Sequence, residues 1–337
     1  MSAEPLAILF SSAGESLSAD EAAFFRDADP FGFILFQRNC RAPDQVRALI
    51  AQFRDCVGRA DAPVLVDQEG GRVARLKPPH WRRYPAPAQL AALPEAATAV
   101  RLAARLIADD LAALGVTADA MPVLDLPVAG ADGVIGDRAY GGMPEPVARL
   151  GRTACEGMLE GGVLPIVKHI PGHGRARVDS HKALPVVDED FATLEATDFA
   201  PFRALREAPW AMTAHVVYST IDPDRPATLS PLVVDRVIRG SIGFAGVLVS
   251  DDIEMGALTG TIAKRVKGAL AAGCDAVLHC SGNLAAMRET AAATAPLTPQ
   301  AAARIARGEA LRRAAARAFE RRAAEAHFEQ ITRALSS

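Results

Sequence analysis

The residues best able to do chemistry crowd into KHIPGHGRARVDSHKALP, residues 168–185, which holds three histidines, two glycines and one aspartate. Such a set can hold a metal, bind an anion or carry protons. Asp179 and His181 are two positions apart, which puts both side chains on one side of an extended segment. Asp179 can then accept from one imidazole nitrogen and fix the tautomer, leaving the other nitrogen free for proton transfer. In PGHG, a proline and two glycines permit a tight turn with close backbone approach. His173 inside it reads as a residue that holds the loop. A metal reading would take His169, His173 and His181 as ligands, but no familiar spacing such as HExxH occurs. The expectation is that no metal and no cofactor is used.

Groups on loops need a frame. Eight short apolar runs have the look of fully buried strands: LAILF (6–10), GFILF (32–36), VLVDQ (64–68), MPVLDL (121–126), LPIVKH (164–169), MTAHVV (212–217), GVLVSDD (246–252) and AVLHC (276–280). Helical patterns lie between them, such as PDQVRALIAQFRDCV, AATAVRLAARLIADDLAALG and PEPVARLGRTACEGMLEGG. This alternation predicts an α/β fold with a parallel sheet, and eight strands close a (β/α)8 TIM-type barrel. A doubly wound open sheet is the runner-up, but no GxGxxG follows an early strand. With no linker and no repeat, residues 1–337 read as a single domain. Its helical segment from about 299 is Ala- and Arg-rich, with Leu311, Ala315, Phe319, Phe328, Ile331 and Leu335 at helical spacing and a solvated charged face.

A barrel carries its functional groups at the C-terminal ends of its strands. Asp67, Asp125, Lys168, His169, His215, Asp251 and Asp252 all fall there. Charges are costly to bury unless paired or used, so their convergence on one rim points to a site. Asp67 and Arg75 could alternatively form a salt bridge at the mouth. His80, His279 and His327 suggest nothing.

Composition sets the wider bounds. Half the residues are hydrophobic and 23% are charged, as in a globular protein. A net charge of -3 gives no electrostatic footprint for nucleic acid. MSAEPLAILFSS lacks the basic region and the apolar length of a signal peptide, and no stretch has a membrane helix's length. The five scattered cysteines show no CxxC pairing and read as reduced thiols in a cytoplasmic protein. The oligomeric state is not readable.

Together KHIPGHG…DSH…LP, DQEGGRVARL (67–76), GDRAY (136–140) and SDDIEM (250–255) resemble glycoside hydrolase family 3. Within it the chain is similar to the single-domain bacterial β-N-acetylglucosaminidases of peptidoglycan recycling. The motifs agree in order from the first strand to the eighth. Ile170 stands where many relatives have Phe, and Ile253-Glu254 where Leu-Ser is frequent. The resemblance implies that Asp251 is the nucleophile, His181 the general acid/base and Asp179 its partner. It also implies that Asp67, Arg75, Arg138, Lys168 and His169 grip the N-acetylglucosamine ring.

The implied activity is exo-acting, retaining removal of GlcNAc from GlcNAc–1,6-anhydro-MurNAc peptides, with a small-molecule carbohydrate as substrate and no nucleic-acid or membrane partner expected. An aspartate suits nucleophilic attack because it is ionised at neutral pH. A histidine starts near pKa 6.5, so acid and base roles need little tuning. It also brings no negative charge beside an anionic leaving group. Two other readings are a metal-dependent barrel amidohydrolase and a non-catalytic sugar-binding barrel. A β-glucosidase is disfavoured because the DSH loop supplies its own acid/base. The Gly- and Pro-rich loop is expected to be mobile, bringing His181 to Asp251 only on closing over substrate.

Overall fold

The apolar runs pair as parallel strands around a closed ring in a computed structural model that describes residues 4–335. The strands are β1 Leu6–Phe10, β2 Pro30–Leu35, β3 Val64–Val66, β4 Ala118–Asp119, β5 Leu164–Ile170, β6 Trp210–Thr213, β7 Val247–Asp252 and β8 Ala276–His279. Each pairs with its sequence neighbour, and Ile8 of β1 opposite Val277 of β8 closes the ring. The expected (β/α)8 barrel is the fold.

These strands show no polar alternation because both of their faces are covered. The period of two survives in which core each residue joins. Ala7, Leu9, Leu65, Leu164, Ile166, Val247 and Val249 fill the barrel interior. Ile8, Phe10, Val64, Val66, Val167 and Leu248 face the surrounding helices. The helix Pro43–Val57 shows the matching surface: it starts at a proline, buries Val46, Leu49, Ile50 and Phe53, and ends at Gly58 with φ +62°. Helices Ala96–Ala112 and Pro144–Glu160 cover the next sectors.

Two strands differ from the sequence reading. The fourth is Ala118–Asp119 rather than 121–126. Pro122 has no N–H for a regular ladder, so the run continues beside β5 through separate bonds. Lys168 N–H donates to Pro122 C=O, and Leu124 N–H donates to Lys168 C=O. The sixth ends at Thr213, because Val217–Tyr218 leaves the barrel for a small rim sheet with Val186–Val187 and Asp222–Pro226. His215 lies in the bend between the two.

The segment from 299 forms helices Pro299–Ala315 and Arg321–Thr332. Of the apolar residues read at helical spacing, Phe328 is buried and Phe319, Ile331 and Leu335 pack against the core, but the first helix turns a different face inward. Leu311 is exposed, whereas Ala301 is buried in the barrel-interior core, with Ile305 packed against it. A Cβ at Gly308 would lie 3.2 Å from the Trp210 indole nitrogen, so this helix stoppers the N-terminal mouth. Arg239 and Arg304 both bond Asp275 just ahead of β8. Among the described residues no helix is long and apolar enough to cross a membrane, and the five cysteines are unpaired.

One interior group gives a pH dependence. Asp119 is fully buried in β4; its Oδ1 accepts from Gln68 N–H at 2.8 Å, while Oδ2 has no partner. Burial pushes its carboxyl up to about 8. The folded chain therefore keeps a proton that the unfolded chain releases at ordinary carboxylate pKa. Through Asp119, stability falls as pH rises from about 4 to about 8. Asp119→Asn keeps an acceptor for Gln68 and cannot ionise. Urea unfolding at pH 5 and at pH 8.5 should show the variant gaining on wild type at the higher pH; parallel curves would remove Asp119 from the account.

Candidate active site

At the C-terminal rim, Asp67, Arg75, Arg138, Lys168, His169, His181, Asp251 and Asp252 line one cavity of about 290 Å³. This is at the small end for ligand pockets and suits a single compact ligand. Phe36, Met212, Met255, Leu278 and Cys280 supply its apolar lining. In the larger cavity of about 1010 Å³, between Lys77–Gln89 and Phe328–Leu335, the one lining carboxylate, Glu329, is paired with Arg82 at 2.6 Å.

Strand β5 places two neighbouring side chains in the cavity, which a regular strand would send to opposite faces. Its register against β6 shifts between Lys168 and Ile170, and both Lys168 and His169 reach the cavity. The Lys168 ammonium is buried and lies 2.8 Å from Asp67 Oδ1 and 2.6 Å from Glu69 Oε1. Arg138 forks onto Glu69, with Nε at 2.9 Å and Nη2 at 2.8 Å. Arg75 Nη2 donates to Asp67 at 3.1 Å, while Arg75 Nε is buried without a partner and remains a free donor. Burial pulls both acids upward, but for Asp67 the fields of Lys168 and Arg75, and for Glu69 those of Lys168 and Arg138, outweigh it and hold them ionised.

Glu69 is the charge that sequence reading passed over. It stands two positions after Asp67 inside DQEGG, where the motif itself pointed to it. The suggested Asp67–Arg75 salt bridge does form, but as one edge of this five-member network.

The carboxylate at the end of β7 is also kept charged. Burial raises Asp251, but His215, His169, the Asp252 N–H and Lys168 together bring it below the usual range. Asp252 N–H donates to Asp251 Oδ1 at 2.8 Å, which leaves Oδ2 uncommitted. The neighbouring Asp252 behaves oppositely: burial pushes it up to about 7. Two adjacent carboxyls are thereby separated in charge.

His215 and Asp125 stand behind the cavity as supports. His215 Nε2 donates to Asp252 C=O at 2.9 Å, and Nδ1 meets Thr228 Oγ1 at 2.7 Å. Burial lowers its pKa below the ordinary histidine value. Asp125 accepts from His169 Nδ1 at 2.7 Å and from the His169 and His173 N–H groups.

The DSH loop presents the second working pair. Asp179 Oδ1 accepts from His181 Nδ1 at 2.8 Å and from His181 N–H at 2.9 Å. Burial raises Asp179, but these bonds and the charges of His181 and Lys182 together bring it below its ordinary value. The His181 side chain is 64% exposed, so Nε2 is free toward the cavity.

His181 lines the same cavity as Asp251. Ser180, between the dyad residues, is buried and bonded to His173, and its C=O accepts from Ala257 N–H. The PGHG turn does approach closely, since a Cβ at Gly174 would sit 2.0 Å from the Leu126 carbonyl oxygen.

The three imidazoles weighed as metal ligands all border this one cavity. His169 and His181 each commit Nδ1 to a carboxylate, and His173 commits Nε2 to Ser180. Among the described residues no group of three or more His, Cys, Asp or Glu is placed to hold a metal ion. What the cavity offers is an ionised carboxylate, an imidazole with its tautomer fixed, and a floor of charged hydrogen-bonding groups.

Residues 12–307 match the family model described as glycosyl hydrolase family 3 N terminal domain. Relatives named beta-hexosaminidase are 40% identical. One, from Alkalilimnicola ehrlichii, matches over 80% of this chain and 78% of its own, and another, from Methylococcus capsulatus, over 81% and 82%. The crystal structure of NagZ from Neisseria gonorrhoeae in complex with N-trifluoroacetyl-D-glucosamine superposes with a TM-score of 0.85 at 32% identity, covering 98% of each chain. The chain belongs to glycosyl hydrolase family 3, as a β-hexosaminidase.

Proposed function

We propose that this β-hexosaminidase removes the non-reducing terminal GlcNAc from peptidoglycan fragments, GlcNAc–1,6-anhydro-MurNAc peptides, in the cytoplasm by a two-step retaining route. The observation that carries it is the meeting of Asp251 and the Asp179–His181 dyad in one sugar-sized cavity.

In the first step Asp251 Oδ2 attacks the anomeric carbon. The C1–O bond breaks, and the departing oxygen takes the proton from His181 Nε2. Asp179 holds the imidazole through Nδ1 and favours its charged form. In the second step His181 Nε2 takes a proton from water, whose oxygen attacks C1 and releases Asp251. Asp67, Arg75, Lys168, His169 and Arg138 provide donors and acceptors for the ring hydroxyls and the acetamido group. No step calls for a metal or a cofactor.

The N-trifluoroacetyl-D-glucosamine complex of the Neisseria protein supports a ligand of this size and class. An imidazolium becomes neutral on giving up its proton, which suits an anionic leaving group; a carboxylic acid in its place would leave a carboxylate beside that negative charge.

The test is mass spectrometry after incubation with a fluorinated GlcNAc trap. An adduct on the peptide containing Asp251 is the expected result, and an unmodified protein that still turns over substrate would exclude the covalent route. His181→Ala should lower kcat/KM by about 10²- to 10⁴-fold on a poorly activated GlcNAc glycoside. Activity after chelator treatment should be unchanged; its loss would revive the amidohydrolase reading.

A further inference from the structure

The two residues of the dyad belong to a loop that is otherwise exposed: Arg177, Val178, His181, Lys182 and Ala183 all face solvent. Only Ser180, between Asp179 and His181, is buried, at 3% exposure. Its hydroxyl lies 3.0 Å from Nε2 of His173, an imidazole that is itself 3% exposed. His173 is fixed in turn by its own N–H, which donates to Asp125 at 2.7 Å. Asp125 also holds His169, so one carboxylate anchors a cavity residue and the origin of the loop.

From this geometry we infer that His173 and Ser180 are positioning residues: a buried pin that sets where the His181 proton donor sits relative to Asp251. This rests on the retaining glycosidase reading above.

Three observations support the pin. His173 Nδ1 is buried without a partner. A bare ring nitrogen is the cheaper atom to leave unpaired, so the proton resides on Nε2 and points at Ser180 Oγ. Burial pushes the imidazole down to about 4, so His173 is neutral at working pH and acts as a hydrogen-bonding strut rather than an acid. On its other side, Ser180 C=O accepts from Ala257 N–H, and a Cβ at Gly256 would come within 2.8 Å of His181 C=O. Ala257 lies in the turn directly after β7, the strand ending at Asp251 and Asp252. Ser180 therefore ties the loop both to Asp125 through His173 and to the strand that carries the nucleophile.

Both residues border the cavity, but neither is assigned to the reacting atoms in this scheme. Their effect is confined to protonation of the leaving oxygen, and that gives a readout which general loosening of the fold would not produce. A well-placed acid matters most for a leaving group that cannot depart as an anion, and least for one that can. The experiment compares kcat/KM, which reports the first step, for a dinitrophenyl and an alkyl β-GlcNAc glycoside.

Ser180→Ala should reduce kcat/KM on the alkyl glycoside by about ten-fold or more and on the dinitrophenyl glycoside by much less. His173→Gln retains a donor amide and should restore part of the alkyl activity relative to His173→Ala. Equal losses on both glycosides, or no loss on either, would overturn the positioning role. The two readings fail differently. Wild-type protein that hydrolyses neither glycoside would remove the glycosidase reading itself. Wild-type turnover of both, with the Ser180 variant losing them equally, would remove only the pin.

Discussion

Asp251→Ala should lose on the order of 10⁴-fold or more in kcat on any GlcNAc glycoside, activated or not, with folding stability little changed. Leaving-group insensitivity is the diagnostic part. A nucleophile is required whether or not the departing oxygen needs a proton, so no choice of substrate rescues its removal. This separates Asp251 from His181, whose replacement should be largely forgiven by a leaving group that departs as an anion. Asp252, pushed up to about 7 by burial and with Oδ1 accepting from Glu254 N–H, is the poorer nucleophile of the two. Single-turnover kinetics on both glycoside types would check the result. Asp251→Ala retaining a tenth of wild-type kcat would transfer the nucleophile's role elsewhere.

The second large effect should appear in stability. Glu69 is almost wholly buried between Arg138 and Lys168, with side-chain exposure of 1% against 10% and 2%. Removing one member of a buried charged network leaves its partners uncompensated and typically costs about 3 to 5 kcal/mol. Glu69→Ala should therefore lower the unfolding free energy by about that amount and abolish sugar binding with it. The exposed Arg101–Glu156 pair gives the contrast. At 45% and 49% exposure, its loss through Glu156→Ala should cost about 1 kcal/mol or less. Urea unfolding of both variants tests the comparison. A Glu69 variant as stable as the Glu156 variant would mean that the network's charges are far less committed to one another than their spacing implies.

Much of this architecture was legible because parallel barrels write themselves plainly. Strands covered on both faces become short apolar runs, and polar residues at their far ends mark the rim. That logic found Asp67, Lys168, His169 and Asp251 from position alone, and the two-residue spacing gave the Asp179–His181 bond. It failed where backbone bonding departs from a ladder. Pro122 pulled the fourth strand away from the run that announced it, and the rim sheet took Val217 and Tyr218 out of the sixth. Asp125 and His215 both sit just beyond those breaks, which is why their roles as supports could not be read from position. Glu69 was missed for another reason: an acid among turn residues looks solvated until the cations that enclose it, from β5 and from residue 138, are placed around it. The anchoring of the loop at Ser180 was illegible because it depends on one serine hydroxyl meeting a buried imidazole seven residues away.

The stoppered barrel has a consequence for traffic. With the helix Pro299–Ala315 across the opposite end and packed side chains filling the interior, no passage runs through the barrel among the described residues. A chain of sugars cannot thread through; only its terminal unit can enter. Whatever is cut off outside must depart before the captured unit can back out the way it came. Release is thereby ordered, and free monosaccharide should compete with fresh substrate for the vacant chamber.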